Sequence, residues 1–355
     1  MLRPETVSDV VTLPDSLEAI EDYFVEQGWS DGLPIVPPTA ERVEAMLAFS
    51  PHPPDEVIGL MEPRWGEVTA RKLAVNAVMA GCRPEYFPVV TAAVEAVLDP
   101  RFNLHCVQPT THPCAPLIVV NGPIAGRLGI QSADGALGPG FRPNATIGRA
   151  IRLALINVGG ATPGKFDRST QAGPGKYTMC VAENQAASPW EPLHVERGYP
   201  ADESTVTVVA VEAPHNLNDH VSKTAQNLMS SLCHGMAAMT MNNAYLHGDV
   251  LLLLGPEHAA TIAADGWSKR DVKRFVYENA RIPLHKLKLG GMWDMRNWPK
   301  WFNTVDDHAM IPMVEEPDDV LVAVVGGVGK HSAFLPTVGP TRAVTRPIRY
   351  ASGSS

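Results

Sequence analysis

The stretch APLIVVNGP at residues 115–123 has a counterpart in DVLLLLGPEHA at residues 249–259. Each stretch is an apolar run that Gly-Pro closes, and each is followed by a helical pattern and a later apolar strand. Short apolar runs that end at turn residues predict buried strands, and strands that alternate with helices predict an α/β fold. We therefore predict an α/β protein with two pseudo-repeated α/β halves. The alternative is the alternation that any α/β protein shows, because its sheets need helices on their faces.

The chain before the first half has a different character. Residues 16–28 and 40–49 have helical spacing, and between them lies the proline-rich segment WSDGLPIVPPT. Proline and glycine forbid a regular helix there, so the segment is expected to run over a domain surface. We predict a helical, Pro-rich N-terminal wrap over residues 1–66, a first half over 67–214 with an inserted loop at 163–203, and a second half over 215–350.

Composition excludes several classes of protein. Of the 355 residues, 45% are hydrophobic and 19% are charged, and the net charge is −9, which argues against nucleic acids and membrane surfaces as partners. No run of about 18 apolar residues is present, and the acidic N-terminus lacks the apolar core of a signal peptide. Five cysteines, an odd number, indicate reduced thiols. The expected location is therefore the cytoplasm.

The segment HCVQPTTHPC, residues 105–114, precedes the first Gly-Pro strand and carries chemically active side chains. His112 and Cys114 are candidate catalytic residues, and the hydroxyls of Thr110 and Thr111 are candidate ligand donors. Alternatively, the thiols only pack and the threonine pair caps a turn. Ligands of parallel sheets bind beyond the carboxyl ends of strands, which adds Asn121 as a substrate-binding candidate.

Two glycine-rich segments are candidate anion sites. In GALGPGFRPNATIGRA, residues 135–150, a loop leads into a helix for which Asn144 is the predicted N-cap. In VVGGVGKHSA, residues 324–333, a strand runs into glycines, a lysine and a histidine, but Val324 and His331 break the P-loop pattern. Neither segment, nor any other, carries an NAD or FAD fingerprint, so the cofactor is left unknown. The substrate-binding candidates are Arg142, Asn144, Thr146, Arg149, Lys330 and His331.

Acids and bases are expected in two further places. Glu257 and His258 follow the second Gly-Pro strand directly, and a carboxylate or an imidazole there could transfer protons. The insertion at 174–198 is long enough to be a lid or a binding loop. It offers Lys176 for the substrate, with Glu183 and His194 as catalytic candidates.

A metal site is left open, because the sequence has no C-x2-C or H-E-x-x-H pattern. The possible ligands are scattered along the chain: His105, His112, His194, Glu196, His247 and His258. The tryptophan-rich segment at 291–303 could be another lid or a subunit contact, since exposed aromatic residues favour interfaces.

Read together, WSDGLPIVPPT, NAVMAGCRPEYFPVV, GFRPNATIGRAIRL, PGKYTMCVAEN and SPWEPLHVERG resemble a bacterial family associated with UGSC-type (seleno)proteins. The resemblance covers most of the chain and implies a cytoplasmic metabolic enzyme with thiol or redox chemistry. The U/C-G-S-C motif is absent, since the nearest segment, SLCHG at 231–235, has a different spacing. No catalytic residue is therefore carried over.

These observations favour a cytoplasmic enzyme that acts on a small carboxylate- or phosphate-bearing molecule in a cleft between the two halves. Hydrolysis or elimination by acid–base chemistry is the leading reaction class. The alternatives are a thiol-dependent oxidoreductase, a metal-dependent hydrolase or lyase, and a non-catalytic binding subunit of a larger enzyme. A small anionic molecule is the expected partner, and a homodimer or higher homo-oligomer is the expected assembly.

Overall fold

The computed structural model describes residues 10–295 and 305–351. Residues 296–303 of the predicted tryptophan-rich segment lie outside the described residues. The α-helices of the described ranges are α1 (Leu17–Glu26), α2 (Ala40–Leu47), α3 (Ala70–Met79), α4 (Phe87–Val97), α5 (Leu104–Val107), α6 (Pro123–Arg127), α7 (Arg142–Asn157), α8 (Leu193–Glu196), α9 (Ala225–Met236), α10 (Asn243–Leu246), α11 (Pro256–Ala264), α12 (Lys269–Asn279) and α13 (Leu284–Leu287). Their strands are β1 (Val57–Met61), β2 (Gly66–Thr69), β3 (Ala115–Asn121), β4 (Cys180–Ala182), β5 (Thr205–Val211), β6 (His215–Asn218), β7 (Val250–Leu254), β8 (Arg281–Pro283), β9 (Met310–Pro312), β10 (Val320–Val324), β11 (His331–Leu335) and β12 (Val344–Pro347).

Two four-stranded mixed sheets contain both predicted Gly-Pro strands, which confirms the α/β class. The first sheet has the order β4-β3-β5-β12, with β3 parallel to β4 and antiparallel to β5. The second has the order β10-β7-β11-β6, with β7 parallel to β10 and antiparallel to β11. The outermost strands are exchanged: β6 follows β5 in the chain but pairs with β11, and β12 follows β11 but pairs with β5. The C-terminal strand thus joins the first sheet.

The sheets pack face to face between two layers of helices. Successive side chains of a strand point to opposite faces, and β3 shows this alternation: Leu117 and Val119 join a core shared by both sheets, whereas Ile118 and Val120 join the core formed with α3, α4 and α7. In the same way, Leu251 of β7 faces the shared core while its neighbours face α9, α11 and α12. The order of layers is therefore helices, sheet, sheet, helices. Apolar side chains fill the space between the sheets.

The two Gly-Pro turns make equivalent close contacts. A Cβ on Gly122 would lie 2.3 Å from the carbonyl oxygen of Glu203, just before β5, and one on Gly255 would lie 2.1 Å from that of His331, which begins β11. Only glycine lets the backbone approach this closely. Gly122 also has a φ of +83°, which disfavours other residues. Both turns thus need glycine for packing against the next antiparallel strand.

The predicted N-cap of α7 is wrong. The helix begins at Arg142, with Phe141 as its N-cap and Pro143 in its first turn, where proline is favourable. Asn144 is instead buried inside the first turn, and its Nδ2 donates to the carbonyls of Gln131, Ala136 and Cys180 at 3.0, 3.2 and 3.1 Å. Its Oδ1 accepts the backbone N–H of Gln131 at 2.8 Å. Asn144 therefore ties the glycine-rich loop to β4.

Arg149 of α7 binds the N-terminal segment. Its guanidinium donates to both carboxylate oxygens of Asp31 at 2.8 Å and to the carbonyl of Leu33 at 3.1 Å. Bidentate arginine–carboxylate pairs combine charge with a fixed geometry. In the described ranges, no helix combines the length and the hydrophobicity needed to cross a bilayer.

Candidate functional site

Segments distant in sequence form a buried ionic cluster beside the start of β3. Oδ2 of Asp167 accepts hydrogen bonds from Arg152 Nη2 on α7, at 3.0 Å, and from Lys176 Nζ, at 2.8 Å. Oδ1 accepts from the hydroxyl of Ser169, at 2.7 Å. The side chains of Arg152, Asp167 and Lys176 are 11%, 4% and 8% exposed. Two cations are therefore buried against one carboxylate.

A small cavity adjoins this cluster. Its volume of about 10 Å³ is room for roughly one water molecule. Gln108 also lines it, is almost fully buried, and has an Oε1 that finds no hydrogen-bond partner among the described residues. An amide oxygen accepts hydrogen bonds, so this atom would suit a donor such as a water molecule. The lining residues are Gln108, Cys114, Ala115, Pro116, Gly148, Ile151, Arg152, Leu155, Gly175 and Lys176.

The charged groups beside this cavity keep one another ionised. Burial alone would raise the pKa of Asp167, but hydrogen bonds from Lys176 and Ser169 hold that pKa below its usual value. Burial lowers the pKa of Arg152, and the charge of Asp167 opposes this effect. Arginine stays protonated in proteins, and Asp167 stays ionised near neutral pH. The cavity therefore carries more positive than negative charge.

A histidine–carboxylate pair lies on the other side of Cys114. Nε2 of His112 is 2.9 Å from a carboxylate oxygen of Glu212, and its Nδ1 accepts the backbone N–H of Cys114 at 3.3 Å. The Cys114 thiol donates weakly to the Val107 carbonyl at 3.8 Å. Burial raises the pKa of this thiol to about 12, with Lys176 opposing the shift. Because a thiolate is the nucleophilic form, this geometry disfavours Cys114 as a nucleophile.

The threonine pair builds the wall of the site through its backbone. The carbonyl of Thr110 accepts from the N–H of Arg168 at 3.1 Å, and that of Thr111 from the N–H of Thr170 at 3.0 Å. The Thr110 hydroxyl accepts the backbone N–H of His112 at 3.1 Å, which is a turn-capping contact. Thr110 and Thr111 thus hold the 163–177 segment over the cavity. Of the candidate site residues, the structure brings together Thr110, Thr111, His112, Cys114 and Lys176 here.

A second cluster, fully buried, lies at the opposite end of β3, about 20 Å away by the rise of the strand. Oε2 of Glu183 accepts from Asn121 Nδ2 at 2.5 Å and from the backbone N–H of Leu193 at 2.8 Å. Its Oε1 lies 4.0 Å from Nζ of Lys269, which begins α12. Burial raises the pKa of Glu183, although Lys269 opposes the shift. This cluster links the end of β3 in the first sheet to α12, which packs against β10 of the second sheet.

Two other residues of the insertion border this second cluster. Glu196 accepts a hydrogen bond from Lys269 at 3.4 Å and pairs with Lys273. His194 is fully buried, and burial lowers its pKa. Glu183 and His194 are 3% and 0% exposed, so a substrate cannot reach either side chain without a rearrangement.

The first glycine-rich segment binds the protein itself. Arg142 donates to the carbonyl of Gly81 at 3.1 and 2.9 Å, and the Thr146 hydroxyl donates to the carbonyl of Arg142 at 2.8 Å. Arg149, as described above, holds the N-terminal segment. The guanidinium groups of Arg142 and Arg149 therefore donate hydrogen bonds to other groups of the protein itself.

The second glycine-rich segment lies at the end of the second sheet, with the Glu257-His258 pair. Glu257 accepts the backbone N–H of Gly329 at 2.9 Å. The ring of His258 bonds to the Ser332 hydroxyl at 2.8 Å and to the Asp219 carbonyl at 3.1 Å. Lys330 donates to a carbonyl at 3.3 Å, and His331 bonds to Asn216 at 3.1 Å. These four candidates occupy a place apart from the cavity.

The six possible metal ligands do not assemble. Across residues 10–295 and 305–351, no group of three or more His, Cys, Asp or Glu side chains could hold a metal ion. His105, for example, pairs with Glu62 at 3.7 Å, whereas His112 pairs with Glu212.

Several residues at or beside the cavity are not predicted from the sequence, among them Gln108, Arg152, Asp167 and Glu212. Arg152 left one signal, because it interrupts the apolar helix sequence RAIRLALIN and a charge at that position needs a buried partner. No feature of the sequence marks Asp167 or Glu212, since carboxylates outside helices and strands are common.

The chain was compared with protein-family models, with curated proteins and with solved structures, and none of the three comparisons found a match.

Proposed function

We propose that this protein is an enzyme that binds a small anionic substrate at the cavity beside Arg152 and Lys176. The observation that carries the proposal is the burial of two cations against one carboxylate at the wall of a cavity. Buried charge is costly unless it is compensated, and an anionic ligand would supply the missing compensation.

The proposed reaction is hydrolysis or elimination by proton transfer, with His112 as the group that moves the proton. Glu212 orients the imidazole through Nε2, and Nδ1 accepts the backbone N–H of Cys114, a residue that lines the cavity. A base held by a third group is the arrangement that acid–base catalysis uses. Burial raises the pKa of the Cys114 thiol and so disfavours the nucleophilic thiolate. A thiol-dependent oxidoreductase is therefore the second candidate.

Thermal unfolding with a series of small carboxylates and phosphate esters tests the binding. A ligand at a hundred times its Kd should stabilise the wild type by about 2.7 kcal/mol. Lys176→Gln should abolish the response, because the ammonium is lost. Lys165→Gln changes an exposed lysine of the same segment and should keep it. Equal responses of the wild type and Lys176→Gln would refute the site.

Turnover is tested separately on any ligand that binds. Incubation with the wild type should give a product visible by NMR, and His112→Gln should bind the ligand but form product at least 100-fold more slowly, a loss typical of a missing general base. Binding without product in the wild type would instead support the non-catalytic binding subunit.

We further propose that the two halves are a pseudo-repeat that packs as a cytoplasmic homo-oligomer. Matching strand orders, with exchanged outer strands, support the repeat. Burial of four of the five cysteines as free thiols suits a reducing compartment. Kinship with the UGSC-type family remains part of this proposal and rests on the sequence segments quoted above.

A further inference from the structure

We propose that the cavity selects singly charged carboxylates over doubly charged tetrahedral anions such as sulfate. This inference rests on the proposed function and names the substrate class of the same site. Three features carry it: the charge of the cluster, the size of the cavity and the chemistry of its walls.

The net charge of the buried cluster is +1, which a singly charged anion would neutralise. Arg152 and Lys176 contribute two positive charges and Asp167 one negative charge, so one is left over. Neighbouring charges are already paired, because the partly exposed Glu212 bonds to His112 and Asp31 forms its bidentate pair with Arg149. A monoanion therefore makes the cluster neutral, whereas a dianion would bury an uncompensated negative charge.

The size of the cavity favours the edge of a planar carboxylate. Room for about one water molecule admits one oxygen atom beside the cations. The walls resist expansion at Gly148, where a Cβ would lie only 2.3 Å from the Thr178 hydroxyl, so α7 already touches the segment after Lys176. A tetrahedral anion would need this packing to open.

The rest of the wall offers few donors for further oxygens. Pro116, Ile151 and Leu155 are apolar on the cavity side, and Pro116 has no N–H. A sulfate or phosphate would leave two or more of its oxygens without hydrogen bonds, at a cost in free energy. A carboxylate can place one oxygen on the cations and leave the other at the opening.

Equilibrium dialysis with radiolabelled formate tests this selectivity on the wild-type protein. We expect saturable binding of formate that unlabelled formate displaces, and displacement by sulfate at least about tenfold weaker at equal ionic strength. Sulfate that competes as well as formate would overturn the inference while leaving an anion site in place. Formate binding that is absent, or unchanged in Lys176→Gln, would overturn the proposed function as well.

Asp167→Asn makes the test sharper. Loss of its charge leaves two cations, so the ratio of sulfate to formate affinity should rise by about tenfold or more relative to the wild type. An unchanged ratio in a folded variant would contradict the charge argument. Should Asp167→Asn fail to fold, the competition in the wild type decides alone.

Discussion

The pair of Lys269 and Glu183 offers a test of how the two sheets and their helices are held together. Lys269→Met keeps most of the side-chain volume and removes the ammonium group. Lys269 is 2% exposed, and the side chain of Glu183 is fully buried. The substitution therefore leaves a carboxylate in the interior with hydrogen bonds from Asn121 and Leu193 but without a cation.

The expected loss in free energy of unfolding is about 3–5 kcal/mol near pH 7, the usual cost of breaking one side of a buried ion pair. Burial already raises the pKa of Glu183 above its value in the unfolded chain. As pH falls, Glu183 therefore takes up a proton in the folded state before it does so in the unfolded state, and this protonation stabilises the folded protein. The stabilisation is larger when Lys269 is absent, because Lys269 no longer lowers the pKa of Glu183. The difference between variant and wild type should shrink towards pH 5.

Chemical unfolding of wild type, Lys269→Met and Lys269→Met/Glu183→Gln at both pH values measures these effects. The double variant should recover part of the loss near pH 7, because the neutral amide needs no cation. Lys286→Met, an exposed lysine, should change stability by less than about 0.5 kcal/mol. A loss below about 1 kcal/mol for Lys269→Met, or one that does not vary with pH, would refute the reasoning.

Three further predictions concern contacts away from this pair. Asn144→Ala removes four hydrogen bonds of the glycine-rich loop and should cost about 2–4 kcal/mol in chemical unfolding; a loss within error would contradict the tie. Iodoacetamide near pH 8 should label Cys106 faster than the other four cysteines, because Cys106 is partly exposed and the others are buried, although burial raises the pKa of all five thiols; labelling of a second cysteine as fast as Cys106 would count against that burial. Asp31→Ala leaves Arg149 unpaired and should speed proteolysis within residues 10–50 without cutting the sheets; an unchanged digest would show that the pair does not fasten the segment.

The sequence predicts the strands and the long helices well because their side chains follow simple periods. The run at 115–123 and its counterpart at 249–259 form inner strands of two sheets, as expected. The exchange of β6 and β12 was not predictable, because short strands of mixed polarity such as HNLN carry no signal for their partner. Asn144 resembles a cap in sequence, and only the tertiary contacts of its amide show that it is not one.

The candidate site was predictable only in part. His112, Cys114 and Lys176 stood out as reactive residue types, and the structure brings them to one place. Their partners did not stand out, since Asp167 and Glu212 are ordinary acids until the fold sets them against a lysine or a histidine. The clusters at Glu183 and at His258 attract attention for the same chemical reasons, but Glu183 and His258 are buried, and His258 is hydrogen-bonded within the protein through both ring nitrogens.

Anomalous diffraction at the bromine edge, from crystals of the untagged protein grown with bromide, tests the central claim most directly. Bromide is a monoanion close in size to the cavity, and its signal locates it without ambiguity. We predict a peak beside the Lys176 ammonium and the Arg152 guanidinium, near the amide of Gln108. Bromide bound only at the protein surface, with none at this cavity, would contradict the assignment of an anion site.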